Sequence, residues 1–221
     1  MKNRSGNHIR LRRIQKLIGE RMLESKLNKP CFYIASRADV TELMALRPKL
    51  SKSLGVKITS NTFFIRALAL AAKQYPVMVS RPAEGINVGF AVSSPKGLLV
   101  PVIKAADEKT LAQIAREDKL LTEKARSNKL TLEDMEGETV ALSNLGAYGI
   151  DFFLGIVPPP ANTILAVGNV VRTLVPDGGQ AVVRKIAGLS LAVDGRITDG
   201  VYAARFLDFI TEQLREPQRL I

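Results

Sequence analysis

The sequence is short of the side chains that carry much of enzyme chemistry. It has one histidine, His8, one cysteine, Cys31, and no tryptophan. A single cysteine excludes an intrachain disulfide and points to a reducing compartment, the cytoplasm or a mitochondrial matrix. So few Cys and His exclude a structural zinc cluster, and no metal site is expected. A serine or cysteine triad needs an imidazole base, and the only candidate, His8, lies in a polar amino-terminal stretch. Aromatic residues make up 5% of the chain, too few for the stacking platform of a single-strand nucleic-acid binder. Neither a G-x-x-x-x-G-K-[ST] loop nor a strand–G-x-G-x-x-G–helix unit occurs. The longest nearly uncharged stretch, Phe152–Val171, contains Pro158-Pro159-Pro160 and does not read as a membrane helix. Residues 1–6 are polar with no apolar run behind them, so no secretory leader is expected.

What is present is ordinary for a globular chain: 221 residues, 46% hydrophobic and 24% charged. The formal net charge of +11 is uneven. Residues 1–30 hold nine Lys/Arg against Glu20 and Glu24, and the rest is nearly balanced. The reading is a basic flexible arm over residues 1–10 and a single domain over 11–221. Such an arm is a candidate for nucleic acid or another anionic partner, or is simply a solvated terminus.

Helical spacing predicts helices at Ile9–Lys26, at Thr41–Ser53 with Thr41 as cap, and at Ser60–Tyr75, where apolar residues on most sides argue full burial. Another is predicted at Leu111–Ser127, with Leu111, Ile114, Leu120 and Leu121 inward, and a last one from about Asp199 to Leu214. Strands are predicted at Cys31–Asp39, Ile86–Ser93, Leu98–Ile103, Thr139–Leu142, Ile164–Val167 and Val182–Val193. Ser94–Gly97 reads as the turn between the second and third of these. Helices come early, strands gather in the second half, and a helix closes. The pattern predicts α+β, a mixed sheet with helices packed on one face.

Three segments in order carry a resemblance. The first is Ile14–Ser36, with Arg21-Met22, Ser25-Lys26 and Pro30. The second is Asn87–Val92 followed by Gly97–Ile103. The third joins Ser143-Asn-Leu-Gly146, Pro159-Pro160, Ile164–Gly168, Asp194-Gly-Arg-Ile-Thr-Asp-Gly200 and Ala203–Leu207. Together they resemble the catalytic core of 2-oxo acid dehydrogenase acyltransferases (E2), whose fold is that of chloramphenicol acetyltransferase. The resemblance covers about residues 9–221. It implies acyl transfer between dihydrolipoyl sulfur and coenzyme A, and trimers with active sites between subunits that assemble into cages. Ser143 matches the family's oxyanion donor and Asp199 its supporting acid. The tail, ending Leu220-Ile221, matches an apolar segment that docks on a neighbour.

One departure dominates. The position matching the family's catalytic histidine is Gly195, which has no side chain to accept a proton. General-base catalysis contributes about 10²–10⁴-fold. Asp194 is the neighbouring carboxylate, and its ordinary pKa lies about four units below that of a thiol. Gly195 itself reads as a turn glycine at positive φ, Ser143 as a residue tying its turn, and Asp199 as a helix cap or a partner for Arg196. Gln15 stands where the family has an arginine. Cys31 reads as a buried small residue. No lipoyl attachment site is expected, because Asp118-Lys119 falls in a helical charge pattern.

Three functional readings follow. The first is a non-catalytic or strongly impaired E2-core homologue, a trimer-based, cage-forming scaffold or a partner of an active E2. The second is an active dihydrolipoyl acyltransferase with an unusual base. The third is a shell binding nucleic acid or cargo through its basic arm.

Overall fold

The computed structural model describes residues 13–95 and 97–221. The basic arm, His8, Arg12, Lys96 and the start of the first predicted helix lie outside the described residues. Helix α1 is described from Arg13 to Asn28. It is followed by β1 (Cys31–Asp39), α2 (Thr41–Ser53) and α3 (Ser60–Gln74). Four short strands come next, β2 (Val88–Phe90), β3 (Val92–Ser94), β4 (Gly97–Leu99) and β5 (Val102–Ile103). The remainder is α4 (Leu111–Arg126), β6 (Val140–Asn144), β7 (Thr163–Asp177), β8 (Gln180–Asp194) and α5 (Gly200–Arg215).

The main sheet has six strands in the order β1-β8-β7-β6-β2-β5. It is mixed: β6 runs parallel to β2 and β7, whereas β1/β8, β7/β8 and β2/β5 are antiparallel. The strand alternation sorts side chains onto two faces. Leu142, Leu165, Leu189, Leu191 and Val193 join the large core with Phe63, Phe64, Leu68 and Phe206 of the helices. Ala141, Ile164 and Ala192 face the other way and meet Val157, Ala161 and Cys31. The α+β expectation of a mixed sheet with helices packed on one face holds.

Helix α3 is buried around most of its circumference, as its apolar composition requires. Thr59 caps it through a reciprocal box with Thr62. Helix α4 meets the α3 amino terminus with the buried Asp118, whose carboxylate accepts from Thr59 Oγ1 at 3.2 Å and from Asn61 and Thr122 at 3.5 Å. Burial pushes the Asp118 pKa up.

Several sequence expectations need correction. Thr41 is the first residue of α2 and Val40 its cap. The Thr41 hydroxyl donates to Asp39 at 2.5 Å and accepts from the Lys185 amide, so it ties β1, α2 and β8 together instead. Ile86–Ser93 and Leu98–Ile103 each split, because the chain leaves the main sheet at Ala91 to form the separate β3/β4 hairpin. Leu120 is 52% exposed while its neighbour Leu121 is buried, since adjacent helical positions diverge by about 100°. Strands β7 and β8 reach 15 residues each, well beyond the predicted Ile164–Val167 and Val182–Val193, because their outer halves pair mainly with one another through polar and exposed residues.

Two glycines permit a close approach. A Cβ on Gly168 or Gly188 would strike the backbone carbonyl of Asp151. Their bareness lets the segment from Gly149 to Val157 cross the outer face of β7 and β8. Asn169 donates its amide to Ile150 O at 2.7 Å, and Ser190 Oγ donates to Phe153 O. The crossing segment leaves Ile150, Phe152, Leu154 and Ile156 exposed, in line with Tyr148 just before it.

Candidate active site

Ser143 lies near the carboxyl end of β6, half-buried, on the wall of a cleft of about 1030 Å³. The cleft also takes in Phe64, Phe90, Asp118, Tyr148 and Asn169. Its volume is just above the ~300–1,000 Å³ common for ligand pockets. The turn after Ser143 is tied by Asn144, whose Oδ1 accepts the Gly146 amide at 3.0 Å. The turn-tying role expected of Ser143 therefore belongs to Asn144. Among the described residues the Ser143 hydroxyl has no hydrogen-bond partner, which leaves it available as a donor into the cleft.

Gly195 lies at the opposite end of the sheet. Ser143 pairs with Ala166, Ala166 with Ser190, and Gly195 lies five residues beyond Ser190. Two strand spacings of about 4.8 Å and five steps of about 3.3 Å separate Ser143 and Gly195 by on the order of 15–20 Å within one chain. The residues that the sequence groups as one site are thus not brought together by a single copy.

The Gly195 surroundings are well defined. Its amide donates to Pro30 O at 3.1 Å. Gly195 is not among the glycines at positive φ, so the turn-conformation explanation for it fails. What requires glycine is space: a Cβ here would lie 2.8 Å from Pro30 O and 3.5 Å from Phe32 Cδ1. Asp194 is buried and grips Arg196 in a two-pronged contact, Nε to Oδ1 at 2.9 Å and Nη2 to Oδ2 at 2.5 Å. The Arg196 hydrogen bonds hold the Asp194 carboxyl below its usual range. Asp194 is therefore a poorer base than a free carboxylate. The Arg196 partner is Asp194 and not Asp199.

Asp199 caps α5, accepting the Tyr202 amide at 2.8 Å. Cys31 is half-buried, and burial pushes its thiol pKa up. Lys29 donates its ammonium to Ala161 O, and burial pulls its pKa down. Sequence reasoning passed over Lys29; its adjacency to Pro30 was visible, but its burial was not. Gln15 lies against Gly97 at the β4 hairpin. Asp118-Lys119 sits in mid-helix on α4. The tail folds back on its own chain: Leu220 is fully buried in the core, while Ile221 is 55% exposed. The expectation of Leu220 as a docking residue fails, because Pro217–Leu220 form a 3₁₀ turn against α3 and α5. Among the described residues no group of three or more His, Cys, Asp or Glu could hold a metal ion, and no helix is long and apolar enough to cross a membrane.

A mixed sheet of this strand order with helices packed on one face is an α+β fold of the chloramphenicol acetyltransferase type. The chain belongs to the family of 2-oxoacid dehydrogenases acyltransferase (catalytic domain), whose family model matches residues 3–221. It is 33% identical to the dihydrolipoyllysine-residue acetyltransferase component of the acetoin cleaving system of Bacillus subtilis, over 94% of this chain and 55% of that protein. It is 36% identical to the lipoamide acyltransferase component of the branched-chain alpha-keto acid dehydrogenase complex of the same organism, over 91% of this chain and 50% of that protein. The chain therefore spans about half the length of the curated relatives it matches.

Among solved structures, it is similar to the cubic core of the pyruvate dehydrogenase multienzyme complex, with TM-score 0.92 and 33% identity over 98% of this chain and 94% of that one. A structure addressing a serine, a histidine and an asparagine in the catalytic mechanism of Azotobacter vinelandii dihydrolipoamide acetyltransferase also gives TM-score 0.92, at 34% identity over the same shares. Chloramphenicol acetyltransferase shares the fold alone, with TM-score 0.54 and 13% identity over 89% of this chain and 92% of that one.

Proposed function

We propose that this chain is the assembling core of a 2-oxo acid dehydrogenase-type acyltransferase, in which transfer between a dihydrolipoyl thiol and coenzyme A is strongly impaired. The observation that carries the reading is Gly195. The serine, histidine and asparagine named for the Azotobacter enzyme are spaced by fifty-two and four residues. Ser143, Gly195 and Asp199 have the same spacing, with glycine in the histidine place.

The assembly part rests on geometry. Ser143 and Gly195 stand at opposite ends of one sheet, so a complete site needs Ser143 from one copy and residues 195–199 from a neighbour. The exposed strip Tyr148, Ile150, Phe152, Leu154 and Ile156 adjoins the Ser143 turn and offers an apolar surface for that neighbour. The unpaired Ser143 hydroxyl would donate to the oxyanion of the tetrahedral intermediate. Asp199 would act by holding the start of α5 in place. A trimer, and a cage of trimers, is the expected assembly, in a reducing compartment that keeps Cys31 as a thiol.

The test pairs two measurements on the purified protein. Native mass should report a multiple of the trimer, and a monomer would overturn the assembly part. Transfer from acetyl-CoA to dihydrolipoamide should run at least a hundredfold below that of the related cores. A rate equal to theirs would overturn the impairment.

A further inference from the structure

Helix α4 buries one stripe: Leu111, Ile114, Ala115, Asp118, Leu121 and Ala125. Helical spacing asks for an apolar residue at each of these positions. Asp118 is the exception. It is 7% exposed and stands on the wall of the cleft that also takes in Ser143. Burial raises its pKa, so the fold keeps this acid against its own stability. Groups perturbed in this way and set in a cleft gather at functional sites.

The Asp118 carboxylate is only partly served by its own chain. Oδ2 accepts from Thr59 at 3.2 Å, and Oδ1 has Asn61 and Thr122, both at 3.5 Å. A carboxylate offers about four lone-pair sites, and a full contact to one is about 2.9 Å long. Oδ1 therefore has room for a closer donor. Between the acid and Ser143 the cleft wall is apolar. Phe64 lies one helical turn beyond Asn61 on α3, and Phe90 stands in register with Leu142, the residue before Ser143. The charges restrict what reaches Asp118. Lys57, Lys119 and Arg126 outnumber Glu123 along the cleft and disfavour an ammonium group, while Asp118 itself disfavours a carboxylate. A neutral donor is left. A hydroxyl fits, because it donates to Oδ1 and its own oxygen accepts from Asn61 or Thr122.

We propose that Asp118 selects the acyl group: the cleft takes an acyl thioester whose carbonyl lies at Ser143 and whose chain runs past Phe90 and Phe64 to a hydroxyl that donates to Asp118. The proposal rests on the acyltransferase reading above and names the substrate class of that site. No bond forms or breaks at Asp118, which acts on specificity alone. An acyl chain of the same length without the hydroxyl covers the carboxylate and gives it no donor, and that loss sets the discrimination.

The experiment measures equilibrium binding to the full chain by isothermal titration calorimetry, so it does not depend on the transfer rate. The probes are CoA itself and two matched pairs, butyryl-CoA with 3-hydroxybutyryl-CoA and valeryl-CoA with 5-hydroxyvaleryl-CoA. In at least one pair the hydroxylated member should bind at least about tenfold tighter, the effect of one hydrogen bond to a charged acceptor. Asp118→Asn, which keeps the size of the side chain and loses the charge, should shrink that preference, and Asp118→Leu should abolish it. Equal affinities within both pairs would overturn the proposal, as would a preference that survives Asp118→Leu. A loss in Asp118→Asn that is the same for CoA and all four thioesters would place the contact on the carrier arm and also overturn it. Binding of butyryl-CoA without a hydroxyl preference sinks this proposal and leaves the acyltransferase reading standing. No binding of any of the five sinks both.

Discussion

The carbonyl of Pro30 occupies the place where a side chain at Gly195 would begin: it accepts the Gly195 amide at 3.1 Å and stands 2.8 Å from the position of a Cβ. A side chain here must displace Pro30, just ahead of β1. Gly195→Ala should therefore lose about 1–3 kcal/mol of stability, the usual cost of overpacking a tight site. Gly195→His should lose a similar amount and still raise acyl transfer at least tenfold, because a positioned base contributes more than the misfit removes. Urea melts and transfer rates on the same preparations check both.

Asp194 stabilises through its charge. Its folded pKa is held below the ordinary carboxylate value of about 4. The stabilisation is thus complete above that value and fades as pH falls through the lower folded one. Asp194→Asn should lose about 1–3 kcal/mol at pH 7, less than a fully enclosed pair because Arg196 is 59% exposed. The gap to the unaltered chain should close as the pH is taken toward 2.

Asp118 has the opposite sign. Burial raises its folded pKa, so in the pH window between the unfolded and the folded value the native state binds more of this proton than the unfolded state. Its unfavourable contribution appears as pH rises from about 4 through the raised value. Lys57, Lys119, Glu123 and Arg126 line the same cleft. Asp118→Asn should flatten the pH dependence and raise the unfolding midpoint at pH 7 relative to pH 4, as measured by thermal melts.

Ser143 and Asp199 should separate by readout. Ser143→Ala removes a hydroxyl without a described partner and should change stability by less than about 0.5 kcal/mol. The same variant should lower the residual transfer rate by about 10–10³-fold. Asp199→Ala removes the α5 cap and should cost about 1 kcal/mol, whereas Asp199→Asn keeps the acceptor and should cost less.

The exposed strip provides the assembly test. Leu154 is 59% exposed and flanked by Phe152 and Ile156. Leu154→Glu should leave the fold of one copy intact by circular dichroism and lower the native mass, because a charge in an apolar contact is left unpaired.

Local pattern was enough for much of this chain. The buried circumference of α3, the amphipathic α5 with Asp199 at its start, and the alternation of Leu189, Leu191 and Val193 against Ser190 and Ala192 are all legible because neighbours in sequence dictate which side faces the core. The ordered motifs around Ser143 and Gly195 pointed to the family before any fold was in view. Residue types alone also showed that no imidazole stands at position 195.

Only tertiary structure decided what depends on contacts between distant segments. Ser143 and Gly195 are fifty-two residues apart, and sheet order sends them to opposite ends. The carbonyl that forbids a Cβ at Gly195 comes from Pro30, 165 residues away in the chain. Asn144 tied the turn in place of Ser143, Asp194 took Arg196 from Asp199, and Leu220 entered the core of its own chain. In each case several residues of the right chemistry were available, and distance and burial selected one.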